Sequence, residues 1–263
     1  MGLVNPLRRI LRLLRRGEQR ISELERRLSS LEGTLDFALR DERSRWLYAN
    51  RAERMDASVS FFQEGRRHFH LERYRFAAQV VEGKQVADVA CGTGYGTELL
   101  CAEGKAAGAV GVDIDAEAVD YAAAVHGRDE IRYVRASADR TGLPDESFDV
   151  VVSFETIEHV ADDVTLLDEF SRLLKPGGTL VCSTPNQWPL EQGEHHVRVY
   201  DHTSFKNVLE RCFAVESLYN QNSGMPGAPF NRGQAAGITA TTPANAGLAE
   251  CYIAVCRKPG DPA

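Results

Sequence analysis

Hydrophobic positions in the first 45 residues recur every three or four places. Leu3, Leu7, Ile10, Leu11 and Leu14 are interleaved with Arg8, Arg9, Arg12, Arg15 and Arg16, and Ile21, Leu24, Leu28, Leu31 and Leu35 then step by three and four. That is the a/d spacing of a heptad seam, so residues 1–45 are predicted to form an amphipathic or coiled-coil helical arm, with Glu and Arg on its flanks. Gly33 weakens the end of the seam. From 46 to 84 the pattern stays helical, with Phe69, Tyr74 and Phe76 near helical spacing and Gly83 as a stop. At Gln85 the pattern changes. Short apolar runs at 85–90, 107–113, 131–136, 148–154, 178–184, 213–220 and 249–257 predict strands, with helices between them as at Ala116–Val125 and Val164–Leu174. Such alternation predicts a mostly parallel α/β sheet with helices on both faces, occupying residues 46–263 after the arm. Residues 221–247, rich in Gly, Pro, Asn and Ala, read as a long loop.

Charge sharpens the division. Net charge is −7, but residues 1–45 hold eleven Lys/Arg against seven Asp/Glu, a net of +4 that leaves −11 for the remainder. An acidic main domain argues against nucleic acid as a partner. No apolar run is long enough to span a bilayer, and the start has neither a secretory signal nor a myristoylation pattern, since Pro6 stands where Ser or Thr is needed. The six cysteines form no CxxC pair, which predicts reduced thiols and a cytoplasmic protein. For the arm three readings stay open: a solvated helix, a short coiled coil for self-association, or a basic amphipathic anchor at the cytoplasmic face of a membrane.

The candidate chemistry starts at "VADVACGTGYGTELL", residues 86–100. A strand runs into a glycine turn and a helix, a unit that brings a nucleotide-bearing cofactor close to backbone. The glycines are Gly92, Gly94 and Gly96; the dinucleotide fingerprint would need a third glycine at Thr97. Asp88 lies inside the strand, and no Lys or Arg lies between Gln85 and Leu100. A carboxylate there suits a cationic cofactor such as S-adenosylmethionine better than a pyrophosphate. Asp113, 21 residues after Gly92, stands where a carboxylate accepts ribose hydroxyls, a feature common to both cofactors.

With "GVDID", "ADRTGLPDESFDVVVSFETIEHV" and "LLKPGGTLVCSTPN", this stretch resembles the class I S-adenosylmethionine-dependent methyltransferases over about residues 69–186. The resemblance implies a seven-stranded Rossmann-like sheet of order 3-2-1-4-5-7-6 with strand 7 antiparallel. It implies that Gly92 and Gly94, with Ala90 and Tyr95 beside them, approach the methionine part, and that Asp88 positions the loop and the amino group. By the same resemblance Asp113, with Ile114 next to it, holds the ribose; Ala138 and Asp139 meet the adenine; Phe154 and Glu155 close the site. Arg73, in the helix before strand one, is placed to pair with the methionine carboxylate, or else with Glu72 or Glu64 on the surface. Cys91 reads as a small buried filler.

Methyl transfer needs alignment and, for a hydroxyl acceptor, removal of a proton. His159 in "ETIEHV", and His195 and His196 in "EQGEHHVRVYDHTSF", are the candidate bases, with a structural hydrogen bond as the other reading of His159. Glu191, Glu194, His195 and His196 offer ligand types but neither HxxxH nor HxH spacing, so no metal site is expected. The "TPN…HVR" segment more loosely resembles methyltransferases of saccharide and natural-product pathways, implying O-methylation of a small-molecule or lipid-linked saccharide. A quinone or polyketide acceptor, and a cofactor-binding module without turnover, remain as alternatives; hydride transfer with NAD is opposed by the glycine spacing and by Asp88.

Overall fold

The computed structural model describes residues 4–52, 54–187, 195–225 and 233–260, with side chains from Arg15 onward. The chain divides into two compact units, Met1–Arg54 and Met55–Ala263. The first contains α1 (Val4–Arg40) and α2 (Glu42–Ala49). The helix of the arm runs through Gly33 and ends only where Asp41 accepts from the Ser44 N–H and caps α2. Ile21, Leu24, Leu28, Leu31 and Leu35 form the expected seam, and all are more than half exposed. The leucine–arginine pattern of the first 14 residues concerns side chains outside the described residues. Among the described residues, no helix is long and apolar enough to cross a membrane.

The second unit opens with turns at residues 55–62, then α3 (Glu64–Ala78). The helical pattern of residues 46–84 is therefore interrupted between α2 and α3; Asp56, which accepts from the Ser58 N–H and hydroxyl, takes that stretch out of helix. The rest alternates as expected: β1 (Gln85–Val89), α4 (Tyr95–Ala102), β2 (Gly108–Asp113), α5 (Ala116–Val125), β3 (Ile131–Arg135), β4 (Phe148–Phe154), α6 (Asp163–Leu173), β5 (Leu174–Pro185), α7 (His202–Leu209), β6 (Ala214–Asn222), β7 (Gly237–Ala240) and β8 (Cys251–Arg257).

The sheet order is β3-β2-β1-β4-β5-β8-β6-β7. β8 runs antiparallel to both β5 and β6, while β1 to β5 pair in parallel. The expected order of seven strands holds, with one addition: β7 pairs antiparallel with β6 at the sheet edge, inside the segment read as a loop. Apolar layers cover both faces. Val89, Val112 and Val151 pack with Leu166 and Phe170 of α6 and Phe205 of α7. Val86 and Val150 pack on the other face with Tyr74 of α3 and Leu99 and Leu100 of α4. Alternate residues of one strand thus serve opposite layers. The carboxyl ends of β1, β2, β4 and β5 come out along one edge, where ligands of open α/β sheets bind.

Candidate active site

The turn after β1 is held tightly. Ala90, Gly92 and Gly94 all have positive φ, at 65°, 56° and 86°. Gly92 has no heavy atom within 4 Å of where a Cβ would sit, so its backbone faces open space. A Cβ on Gly94 would meet Ala122 at 2.6 Å and the Tyr133 hydroxyl at 2.8 Å, and one on Gly96 would enter the Tyr74 ring. The first glycine opens the backbone to a ligand; the other two admit neighbouring elements.

Asp88 is fully buried and accepts from the Thr97 hydroxyl at 2.6 Å and, more weakly, from the Tyr74 hydroxyl at 3.3 Å. Burial pushes its carboxyl up to about 7, against the lowering effect of those two hydroxyls. A cationic group beside it would restore the carboxylate. Asp113, also buried, accepts from the Gly92 N–H at 2.8 Å and the Asp115 N–H at 3.0 Å, tying the glycine turn to the end of β2. Ile114 follows with its side chain exposed. Ala138 and Asp139 lie in the half-buried turn after β3, where the Ser137 hydroxyl donates to Asp139. The residues singled out along β1, β2 and β3 therefore lie at adjacent carboxyl ends.

Phe154 and Glu155 end β4. Glu155 has a positive φ of 53°, a strained conformation for a non-glycine residue, as does Ala90 at the end of the neighbouring β1. Glu155 Oε1 receives Arg73 at 2.8 Å, the Ser183 hydroxyl at 2.9 Å and the Cys251 thiol at 3.2 Å. Arg73 is buried, and its partner is Glu155 rather than Glu72 or Glu64. It also donates to Gln221 at 2.9 Å and Ser183 at 3.1 Å, and stands over the Phe69 and Phe154 rings. Its Nη2 is buried with no hydrogen-bond partner. An orphaned guanidinium nitrogen in a polar floor fits a carboxylate or another anionic group of a ligand. Tyr95 packs edge-on against Tyr74 at 5.5 Å, beside this floor.

On the other side of β4, Arg198 donates to the carbonyls of Ile157, Val160 and Ala161, and the Val197 N–H donates to the Glu158 carbonyl. These bonds strap residues 195–199 onto the turn after β4. The His159 and His196 rings meet edge-to-face at 4.6 Å, while His195 presents its carbonyl to His159 Nδ1 at 3.2 Å. Burial lowers the pKa of His159, partly offset by its bond to His195; burial and then the neighbouring His159 lower that of His196. Both shifts favour the neutral imidazole. Glu158, buried at their side, is pushed well up by burial and then by Glu155. Glu191 and Glu194 lie outside the described residues. Cys91 is buried, and burial raises its thiol.

The model of the methyltransferase domain family matches residues 87–182, which run from within β1 to within β5 and include Asp88, the glycine turn, Asp113 and Glu155. Residues 87–182 thus form a methyltransferase domain. The chain is 34% identical over 148 residues to a probable S-adenosylmethionine-dependent methyltransferase of Mycolicibacterium smegmatis, covering 56% of each chain. It is 40% identical over 110 residues to a ubiquinone biosynthesis O-methyltransferase of Maricaulis maris, covering 40% of this chain and 42% of that one. The chain thus spans about half the length of the curated relatives it matches. A methyltransferase solved in complex with the Haloferax volcanii Trm112 activator shares the fold, with a TM-score of 0.61 at 22% identity over 76% of this chain and 94% of that one.

The methyltransferase domain fits its cofactor, S-adenosylmethionine, on structural grounds: an open glycine turn, two buried carboxylates and an orphaned guanidinium nitrogen converge at one strand edge. Sequence reasoning missed Thr97, Ser183, Gln221, Glu158 and Arg198. Thr97 and Ser183 are single hydroxyls in otherwise ordinary elements, and Gln221 reaches Arg73 only through the fold. Glu158 did carry a signal, as the second carboxylate of "ETIEHV".

Proposed function

We propose that this chain O-methylates a saccharide hydroxyl, with S-adenosylmethionine as donor. The observation that carries the reading is the pair of imidazoles, His159 and His196, meeting edge-to-face beside buried Glu158 at the carboxyl end of β4. When bound, the cofactor supplies a methyl group already activated by a sulfonium. The chain's own residues then have two tasks. Asp88, Gly92, Asp113 and the Arg73–Glu155 floor hold and orient the donor, with Ala138 and Asp139 at the adenine end. The imidazole pair handles the acceptor's proton, which a sugar hydroxyl must lose and a thioether or amine need not. His159 is oriented for this: with its Nδ1–H donating to the His195 carbonyl, Nε2 keeps its lone pair.

The test uses methyl-labelled S-adenosylmethionine and a fractionated cell extract, with nucleotide sugars and lipid-linked glycans separated from free lipids, quinones and macromolecules. Label is expected in a saccharide fraction, with His159→Ala lowering transfer about 100-fold or more. Label confined to the quinone fraction would overturn the saccharide reading in favour of the activity named for the Maricaulis maris relative.

The arm is proposed to pair with a second copy of the chain. With Ile21, Leu28 and Leu35 at a and Leu24 and Leu31 at d, Arg20 and Arg27 fall at g and Glu25 and Glu32 at e. In a parallel, in-register pair each g arginine meets an e glutamate of the other chain; an antiparallel pair would set arginine against arginine. Sedimentation of the full chain is expected to give a dimer, and of Leu24→Lys/Leu28→Lys a monomer. A monomeric full chain at every concentration would refute the pairing. A lipid-linked acceptor would also give the basic start of the arm a membrane surface to meet, in which case deleting residues 1–45 releases the protein from vesicles while cofactor binding persists.

A further inference from the structure

The group at the end of β4 has a second property. Glu158 is buried; its Oε2 accepts from the Thr184 hydroxyl at 3.1 Å, and its Oε1 has no hydrogen-bond partner. A buried carboxylate oxygen without a donor is costly, and native folds leave few such atoms unless a water or an ion completes them. His159 Nε2 lies 3.8 Å from that oxygen, too far for a hydrogen bond. His196 completes a triangle in which one ligand atom from each of Glu158, His159 and His196 lies within 4.8 Å of the others. Two ligands on one first-row ion, each at about 2.0–2.2 Å, sit roughly 3–4 Å apart, so small rotations of the two imidazoles close the triangle.

The surroundings are those of metal ligands. A ligating histidine commonly donates its other ring N–H to a carbonyl or carboxylate, which fixes ring and tautomer. His159 Nδ1 lies 3.2 Å from the His195 carbonyl, leaving Nε2 toward Glu158. One Glu158 oxygen is held by Thr184 while the other points to the imidazoles. The strap that delivers His196 is anchored by Arg198 on the backbone of the turn that carries Glu158 and His159. The sequence hid this set because its members come from two segments joined only by the strap.

We propose that Glu158, His159 and His196 bind a divalent first-row transition ion, such as Zn2+, Mn2+ or Co2+, at the acceptor side of the site. Two imidazoles and one carboxylate leave at least one coordination position for an oxygen ligand, and an ion there lowers the pKa of that oxygen. In its role, though not in its existence, this centre rests on the O-methylation reading: the ion would acidify the acceptor hydroxyl, its proton passing to solvent, in place of direct uptake by an imidazole.

The probe is Co2+, titrated into the untagged full-length apoprotein without cofactor or acceptor and followed by its visible d–d absorption. One Co2+ per chain is expected, displaced by Zn2+. Glu158→Gln, His159→Ala and His196→Ala should each weaken binding at least tenfold, while calorimetric S-adenosylmethionine binding shows that each variant is folded. Absence of a d–d band, or binding of equal strength in all three folded variants, would overturn the site. Because no turnover is read, the metal centre can fail while methyl transfer stands, and the reverse.

Discussion

Replacing Asp113 with alanine is expected to weaken S-adenosylmethionine binding by about 10–100-fold or more. Its carboxylate does two things at once. It accepts from the Gly92 and Asp115 N–H groups at 2.8 and 3.0 Å, fixing the glycine turn against the end of β2. It also stands at the carboxyl end of β2, where the ribose is expected. Each charged hydrogen bond lost costs about 1.5–3 kcal/mol, and about 1.4 kcal/mol is a factor of ten in affinity. Because ribose is common to both, S-adenosylhomocysteine should lose affinity by the same factor. Calorimetric titration of both ligands checks this, and undiminished binding of either would show that the carboxylate has no part in the site.

The second large effect lies behind that turn. His126 Nε2 meets Asp56 at 2.7 Å and its Nδ1 meets Glu98 at 2.6 Å, with His126 and Asp56 both buried. Burial alone would lower the pKa of His126, but the two carboxylates outweigh it and raise it. The Asp56 carboxyl, which burial alone would raise, is lowered by His126 and Ser58. The imidazolium fastens the 55–58 turn, whose Met55 carbonyl accepts from the Thr93 hydroxyl at 2.7 Å, within the glycine turn. His126→Ala leaves a buried carboxylate without its cation, and the expected loss of stability is about 3–5 kcal/mol.

The sign of the pH dependence follows from linkage. A histidine raised in the folded state contributes fully below its ordinary value of 6.5 and loses that contribution as pH rises through the raised value. A lowered Asp56 contributes above its ordinary 3.8 and loses it as pH falls. The clamp is thus strongest between those limits. Denaturant unfolding of wild type and His126→Ala at pH 6 and pH 9 should show a gap that narrows at the higher pH. A gap that does not change with pH would mean the imidazole is held neutral.

The sheet was readable because each buried strand is a short apolar run bounded by turn residues. β7 escaped because Gly237–Ala240 is a four-residue edge strand, half-exposed and without alternation, that exists only by pairing with β6. The break between α2 and α3 escaped because helical spacing continues on both sides of Asp56. The candidate cofactor side of the site was readable for a physical reason: Asp88, Gly92, Gly94 and Asp113 stand at fixed distances along the chain, at the ends of β1 and β2 and in the turn between β1 and α4. The rest of the site was not, because its parts meet only through tertiary contacts. Arg73 reaches Glu155 from a helix before the sheet, and His196 reaches Glu158 through a strap that Arg198 holds. The expectation of no metal ligands rested on spacing along one segment, whereas Glu158, His159 and His196 come from two.

The measurement that bears most directly on the account is calorimetric titration of the full chain with S-adenosylmethionine, repeated with S-adenosylhomocysteine and NAD in competition. One saturable site per chain is expected, with competition by S-adenosylhomocysteine, none by NAD, and the weakened binding given above in Asp113→Ala. Displacement by NAD, or no binding by a folded chain, would contradict that expectation.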